Sequence, residues 1–393
     1  MKKRMIVGLV SVALAFALVF SFNSCGNDES ENTLTVGFVY DNDETTPYSY
    51  NFFLAQEAVQ ETYKGDVRIL VTSNILDEDM NDEVKKLAEA GCRIIFTNSY
   101  GDIRGAAAEY PDVQFCQASG SPYPENEARD NYHTFKGEAY QARYLSGVVA
   151  GLKLEEMIND GRLDAKDAKL GFIAAYPYAE VISGFTAFLL GARSVVPEAT
   201  LSVKYTHIWS SYTLEKACAE ELLDEGCVII SQHSDTVGPA IACEDHYASE
   251  CYHVGYNIDM TEDAPNTSLT SARINWTPYI LGAVKAVLDG KPIEETVKGT
   301  VHPLNDMSAG FEDGWVTLTD LNEKLMPEGA AKHIETVREE LANGSLKVFY
   351  GDYTGVDPET SQTVDLNTEF AENRNSSMPS FSYILDDIVT IED

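Results

Sequence analysis

The sequence predicts an α/β protein of two similar lobes, each built on a doubly wound parallel sheet. Three observations carry this. Short β-branched runs alternate with helical apolar spacing, as in parallel strands covered by helices on both faces. A helix–glycine–strand unit occurs twice, in separate halves of the chain. The 393 residues are ample for two cores.

The elements follow in order. Residues 35–40 read as a strand, 51–63 as a helix, 67–72 as a strand and 81–90 as a helix. Strands follow at 93–97 and 113–116. Residues 138–152 have helical spacing, then 170–175 form a strand, 181–194 a helix and 201–205 a strand. A helix at 214–223 and strands at 228–231 and 254–256 complete the alternation. Near Asn275 the residues Trp276, Tyr279, Ile280, Ala283, Val284, Val287 and Leu288 keep the i, i+3, i+4 spacing until Gly290 and Pro292 end the helix. The tail from Gly351 is poor in apolar residues until Phe381, and Tyr383, Ile384 and Leu385 are expected to dock back as a terminal element.

The repeated unit is Leu87-Ala88-Glu89-Ala90-Gly91-Cys92-Arg93-Ile94-Ile95 and Leu222-Leu223-Asp224-Glu225-Gly226-Cys227-Val228-Ile229-Ile230. Each is a helix end, a glycine cap and a buried strand. Each then opens into a polar loop. Ligands of such sheets bind outside the carboxyl ends of the strands. The loops Asn98-Ser99-Tyr100 and Gln232-His233-Ser234-Asp235 are therefore expected to face each other across a cleft.

The N-terminus reads as an export signal. Lys2, Lys3 and Arg4 precede an uncharged run from Met5 to Phe22, which ends at Ser24-Cys25 and an acidic tether. The run is nearly long enough to span a bilayer. A cysteine at its end, followed by polar residues, favours cleavage and lipidation at Cys25, although Phe22 stands where a bacterial lipoprotein signal usually has Leu. The expectation is residues 1–24 as signal peptide, 25–33 as tether, and a protein held by acyl chains to the outer face of the cell membrane. Six cysteines remain. Cys92 and Cys227 fit buried thiols; Cys243 and Cys251 are the one pair close enough for a disulfide, which the sequence leaves open.

Charge excludes one class of partner. With 28 Lys+Arg against 63 Asp+Glu, the formal net charge is −35. Such a surface repels phosphate backbones, so nucleic acid is not an expected partner.

The chain has neither a phosphate-binding G-x-x-x-x-G-K-[ST] loop nor a G-x-S-x-G elbow. His233 and Asp235 could act as an acid/base pair, but with no nucleophile or metal set beside them, hydrogen bonding to a ligand is the preferred reading. Cys243, Glu244, Asp245, His246, Cys251 and His253 cluster in sequence without the spacing of a zinc motif. No metal or cofactor is expected. Aromatic residues are frequent where loops should meet the cleft: Tyr48, Tyr50, Tyr100, Tyr176, Tyr178, Trp209 and Tyr212. Stacking on a flat ring is worth about 0.5–1.5 kcal/mol per aromatic pair beyond area burial. Sugars also use such platforms, so a sugar is the alternative ligand.

Several stretches resemble the basic-membrane-protein (BMP) family, the lipoprotein substrate-binding components of ABC importers. They are Lys169 to Ala174, Glu180 to Phe185, Phe188 to Pro197, Trp209, Lys216 to Ala219, Gln232 to Asp235, Gly255 to Met260 and Thr270 to Tyr279. Asn131-Tyr132 with Gly137 to Gly151 is similar to the family's lobe-crossing helix. The resemblance covers about 35–314.

It implies a type I periplasmic-binding-protein fold with hinged lobes, and no enzymatic activity. The lobes are expected at 34–137 with 268–300, and at 138–267 with 301–393. The implied ligand is a purine base or nucleoside, and the implied partners are the permease and ATPase subunits of an importer. By the same resemblance, Tyr48, Ser99, Tyr100, Trp209, Gln232, His233, Asp235, Asn257, Asp259 and Trp276 are the expected ligand-binding residues. Asn257 replaces the first Asp of the family's Gly-x-Asp-x-Asp loop, and no Lys follows Thr270-Ser271 as it does in nucleoside receptors. Both departures tilt the expectation towards a free base or an altered nucleoside pocket.

Overall fold

The computed structural model describes residues 33–121 and 123–392. The signal segment and Cys25 lie outside them. The first lobe opens with β1 (Leu34–Val39), α1 (Pro47–Thr62), β2 (Val67–Thr72), α2 (Met80–Glu89), β3 (Ile94–Thr97), α3 (Arg104–Glu109), β4 (Gln114–Ala118) and β5 (Tyr132–Gly137). The chain crosses into the long helix α4 (Ala139–Asn159). The second lobe then runs β6 (Lys169–Ala174), α5 (Ala179–Arg193), β7 (Thr200–Tyr205), α6 (Tyr212–Asp224), β8 (Ile229–His233), α7 (Gly238–Asp245), β9 (Tyr252–Tyr256) and β10 (Ser268–Ile274). A return to the first lobe supplies α8 (Thr277–Asp289), α9 (Ile293–Thr296), β11 (Thr300–His302) and β12 (Asp306–Ala309). A third crossing leads to β13 (Val316–Leu318), α10 (Ala330–Ala342), β14 (Thr354–Val356), β15 (Thr363–Asp365), β16 (Ile384–Leu385) and β17 (Val389–Glu392).

The first sheet has the order β11-β12-β5-β4-β3-β1-β2, and the second β13-β10-β9-β8-β6-β7-β17. The cores of the two sheets share the order 2-1-3-4-5, so the repeated units occupy equivalent places, β3 and β8. Both helices end alike. Cys92 N–H donates to Leu87 C=O at 3.1 Å and Cys227 N–H to Leu222 C=O at 3.0 Å. The intervening Gly91 and Gly226 sit at φ 94° and 90°, where a side chain would be strained.

Strand periodicity explains the two-sided burial. Phe38 and Phe96 enter the core beneath α1 and α8, while Val39 and Ile95 enter the one beneath α2 and α3. In the second lobe Phe172 and Ile173 divide in the same way.

Sheet pairing moves two lobe boundaries. β10 was expected in the first lobe but pairs in parallel with β9 in the second. β11 and β12, expected in the second lobe, complete the first sheet through β12 and β5. The crossing falls at Asn275, whose N–H donates to Trp315 C=O at 2.7 Å and whose side chain donates to Gly314 C=O at 2.9 Å. Glu138 N–H donates to Ala309 C=O at 2.9 Å, so the three crossing segments brace one another.

The crossing helix α4 packs closely on α5. A Cβ on Gly147 would stand 2.0 Å from Phe188 C=O, and one on Gly191 2.0 Å from Tyr144 C=O. This close approach seats the N-terminus of α5 over the cleft. The tail docks as expected at Ile384–Leu385, and Phe381 stacks on Phe349 with ring centroids 4.3 Å apart. β17 then adds a parallel edge strand beside β7.

Among the described residues six cysteines are free thiols. Also among them, no helix is long and apolar enough to cross a membrane.

Candidate ligand site between the lobes

The carboxyl ends of both sheets meet at a cavity of about 120 Å³. The first lobe contributes Asp41, Asn42, Tyr48, Asp77 and Tyr100. The second contributes Glu180, Trp209, Ser210, His233, Asp235 and Tyr256. All lie at or beyond the carboxyl ends of strands, the usual place for a ligand in an open α/β sheet. A larger depression of about 900 Å³ lies on the second lobe along α10 and 317–324. It is open and polar, and lacks aromatic walls.

A ring of hydrogen bonds sets the first-lobe side. Asn98 Oδ1 accepts from Asp41 N–H at 3.0 Å, Asn98 Nδ2 donates to Ser49 Oγ at 3.0 Å, and Ser49 Oγ donates to Asp41 at 2.9 Å. Tyr48 leans on this ring, its hydroxyl donating to Asn98 C=O at 3.2 Å. Burial raises the Asp41 carboxyl above the ordinary range.

Glu180, in the first turn of α5, reaches across the cleft. Its Oε2 lies 2.6 Å from Lys136 Nζ and accepts the Tyr100 hydroxyl at 2.8 Å. Burial, the largest single influence, opposes its charge, but the Lys136 ammonium and the His233 ring together hold the carboxyl well below its ordinary range. His233 Nε2 stands 3.6 Å away on the same lobe. Burial, with Arg143 behind it, lowers His233 to about 4, so the ring is neutral at pH 7 and Lys136 carries the pairing.

The Tyr100 and Trp209 rings, from opposite lobes, lie 14° from parallel with centroids 6.3 Å apart. His233 packs on Tyr256 at 4.6 Å, and the Arg143 guanidinium covers the same Tyr256 ring at 3.7 Å.

The family model described as ABC transporter substrate-binding protein, PnrA-like, matches residues 34–344. The chain belongs to the Bmp family. A purine-binding protein of Brucella abortus is 28% identical over 343 residues, 86% of this chain and 89% of that protein. A putative ABC transporter glucose-binding protein of Haloferax volcanii is 26% identical over 300 residues, 76% of this chain and 69% of that one. A solved solute-binding protein of Aeropyrum pernix superposes with TM-score 0.65 at 15% identity, covering 80% of this chain and 92% of its own. One from Conexibacter woesei gives 0.62 at 16%, with 80% and 98% covered. At such identities the likeness is one of fold, and the fold is the type I periplasmic-binding-protein architecture. Bmp proteins are the substrate-binding components of ABC transporters, an extracytoplasmic class.

Within this Bmp chain, Tyr48, Tyr100, Trp209, His233 and Asp235 line the cavity. The other expected residues do not. Ser99 is buried and donates to the Asp77 carboxylate. Gln232 is turned inward, donating to Ser234 C=O at 3.0 Å and Thr236 C=O at 2.7 Å, so it shapes the loop. Gln117 does the same in the first lobe with Ser99 C=O and Gly101 C=O. Asn257, at φ 67°, meets Asn51 of the first lobe at 3.2 Å. Asp259 is exposed and accepts Thr261 N–H at 2.8 Å. Trp276 is core, stacked on Phe52 at 4.5 Å beneath Tyr48.

Sequence reasoning did not select Asn42, Asp77, Glu180, Ser210 or Tyr256. The available signal was position after a strand end; Glu180 and Tyr256 also fall within the stretches that carry the resemblance.

Proposed function

We propose that this Bmp protein captures a purine base or nucleoside in the interlobe cavity and presents it to the permease and ATPase subunits of an importer. Capture is a hinge closure. The observation that carries the reading is the pairing of aromatic walls, Tyr48, Tyr100, Trp209 and Tyr256, with polar strand-end groups around one small cavity. Its 120 Å³ is on the scale of the ~150 Å³ cavity that takes up benzene, which favours a free ring over a ring bearing a sugar. The Brucella abortus relative, named for purine binding, supports the same class. His233 and Asp235 act in this reading as hydrogen-bond partners, not as catalysts.

Cys25 serves as the lipid anchor, holding the lobes outside the cell membrane once residues 1–24 are removed. A sugar is the second reading, favoured by the Haloferax volcanii relative's name. A thermal-shift screen of the chain from residue 26 tests both. A ligand at a hundred times its Kd adds about 2.7 kcal/mol. Purines are expected to raise Tm; a shift with sugars alone refutes the purine reading.

A further inference from the structure

Four carboxylates line the cavity, Asp41 and Asp77 from one lobe and Glu180 and Asp235 from the other. No lysine or arginine stands among the lining residues. Three of the four are occupied: Asp41 accepts the Ser49 hydroxyl, Asp77 the Ser99 hydroxyl, and Glu180 pairs with Lys136. The Asp235 carboxylate accepts no hydrogen bond from the described residues; only its backbone N–H is engaged, with Trp209 C=O at 2.9 Å. Facing Asp235 are Asp41 across the cleft, Glu180 of α5, Glu215 of α6, and Arg143 of α4. His233 and Tyr256 at the strand ends, with Tyr48 of α1, complete its surroundings. Burial first, then the Glu215, Asp41 and Glu180 charges, push its carboxyl up, and Arg143 offsets only part of this.

A second feature points the same way. Trp209, Tyr48, Tyr100 and Tyr256 wall the cavity, and aromatic faces attract positive charge. An anionic or acceptor-only ring would meet repulsion from both sets of groups. A donor-bearing cation would meet attraction from both.

We propose that the site holds its ligand as a cation: a heteroaromatic ring with a basic amidine-type nitrogen, taking up one proton from solvent on binding and presenting its N–H groups to Asp235. This rests on the ring-binding reading above. The lone pair of the ring nitrogen takes the proton, and the resulting N–H donates a charge-assisted hydrogen bond to the free carboxylate. No other bond forms or breaks.

Calorimetric titration of the chain from residue 26 with adenine and with hypoxanthine, in buffers of different ionisation heat, tests this. Adenine is expected to bind with uptake of about one proton at alkaline pH, where the raised Asp235 carboxyl of the free protein is ionised, and its affinity to fall about tenfold per pH unit there. Hypoxanthine, without the amidine unit, should bind at least about tenfold more weakly. In Asp235→Asn the uptake and the pH slope should vanish while the urea unfolding midpoint stays near that of the parent chain, which shows that the variant folds. Adenine binding without proton uptake, or uptake that persists in Asp235→Asn, overturns the proposal. If neither purine binds, benzamidine, an aromatic amidinium with N–H donors, is the probe. Benzamidine binding that is lost in Asp235→Asn then keeps the cation site and removes the purine reading, and no binding removes both.

Discussion

The Lys136 ammonium of the first lobe stands 2.6 Å from the Glu180 carboxylate of the second, with 1% and 11% of their side chains exposed. The pair can exist only when the lobes are together, and Tyr100 from the first lobe shares the same oxygen. Ligand cavity and interlobe contact therefore meet in one carboxylate.

Removing one member of a buried pair strands the other, at about 3–5 kcal/mol. Opening the lobes relieves that cost by restoring water. Lys136→Met is therefore expected to weaken ligand binding about 10- to 100-fold, equivalent to about 1.4–2.8 kcal/mol, with little change in Tm. Small-angle scattering with ligand should show a more open particle. The double variant Lys136→Met/Glu180→Gln should bind better than Lys136→Met alone; if it binds worse, the pair is not a latch.

The two tryptophans should separate function from stability. Trp209 is half-buried at the cavity, so Trp209→Ala is expected to abolish most ligand binding and shift Tm little. Trp276 is 1% exposed and stacked in the core. Trp276→Ala should cost about 3–5 kcal/mol of stability. Urea unfolding beside ligand titration reads both effects.

Acid should weaken the second lobe through its histidines. Burial lowers His253 to about 3, and its ring sits neutral against Gln232 Oε1 at 3.1 Å. An unfolded histidine titrates near about 6.5, so the unfolded state binds more protons below that pH. The stability from His253 is thus present above about 6.5 and lost progressively as pH falls towards the folded value. His233 adds the same sign. Tm measured from pH 7 to 4.5 should fall less steeply for His253→Gln than for the parent chain; parallel curves would refute the assignment.

The α4–α5 contact tolerates no added atom. Gly191→Ala places a methyl 2.0 Å from Tyr144 C=O, forcing the helices apart at about 1–3 kcal/mol. Because α5 carries Glu180, binding should weaken together with stability. A drop in urea midpoint with unchanged affinity would show that α5 is not what places Glu180.

The α/β class, the order of most helices and strands, and the equivalence of the repeated units were legible in the sequence. Periodicity and glycine caps are local, and the strands expected at 93–97 and 228–231 carry them clearly. β5 and β10 were not read as strands, because Tyr132–Gly137 includes His and Lys, and Ser268–Ile274 is rich in hydroxyls. Their polar groups are buried where strand ends meet the other lobe, and that requirement arises only after both lobes exist.

The site divides on the same line. Aromatic residues after strand ends mark a cleft from sequence alone, and Tyr48, Tyr100 and Trp209 do line it. Which way a loop side chain turns depends on partners far along the chain. Gln232 was drawn inward by its own loop and by His253, and Asp259 was left outside capping a turn. Glu180 became a cavity wall because Gly147 and Gly191 let two helices touch and because Lys136, 44 positions earlier, waits across the cleft. The sequence by itself determined the architecture and the neighbourhood of the site. The tertiary structure decided which carboxylate is paired and which is free, since burial and opposing charge exist only between lobes that have come together.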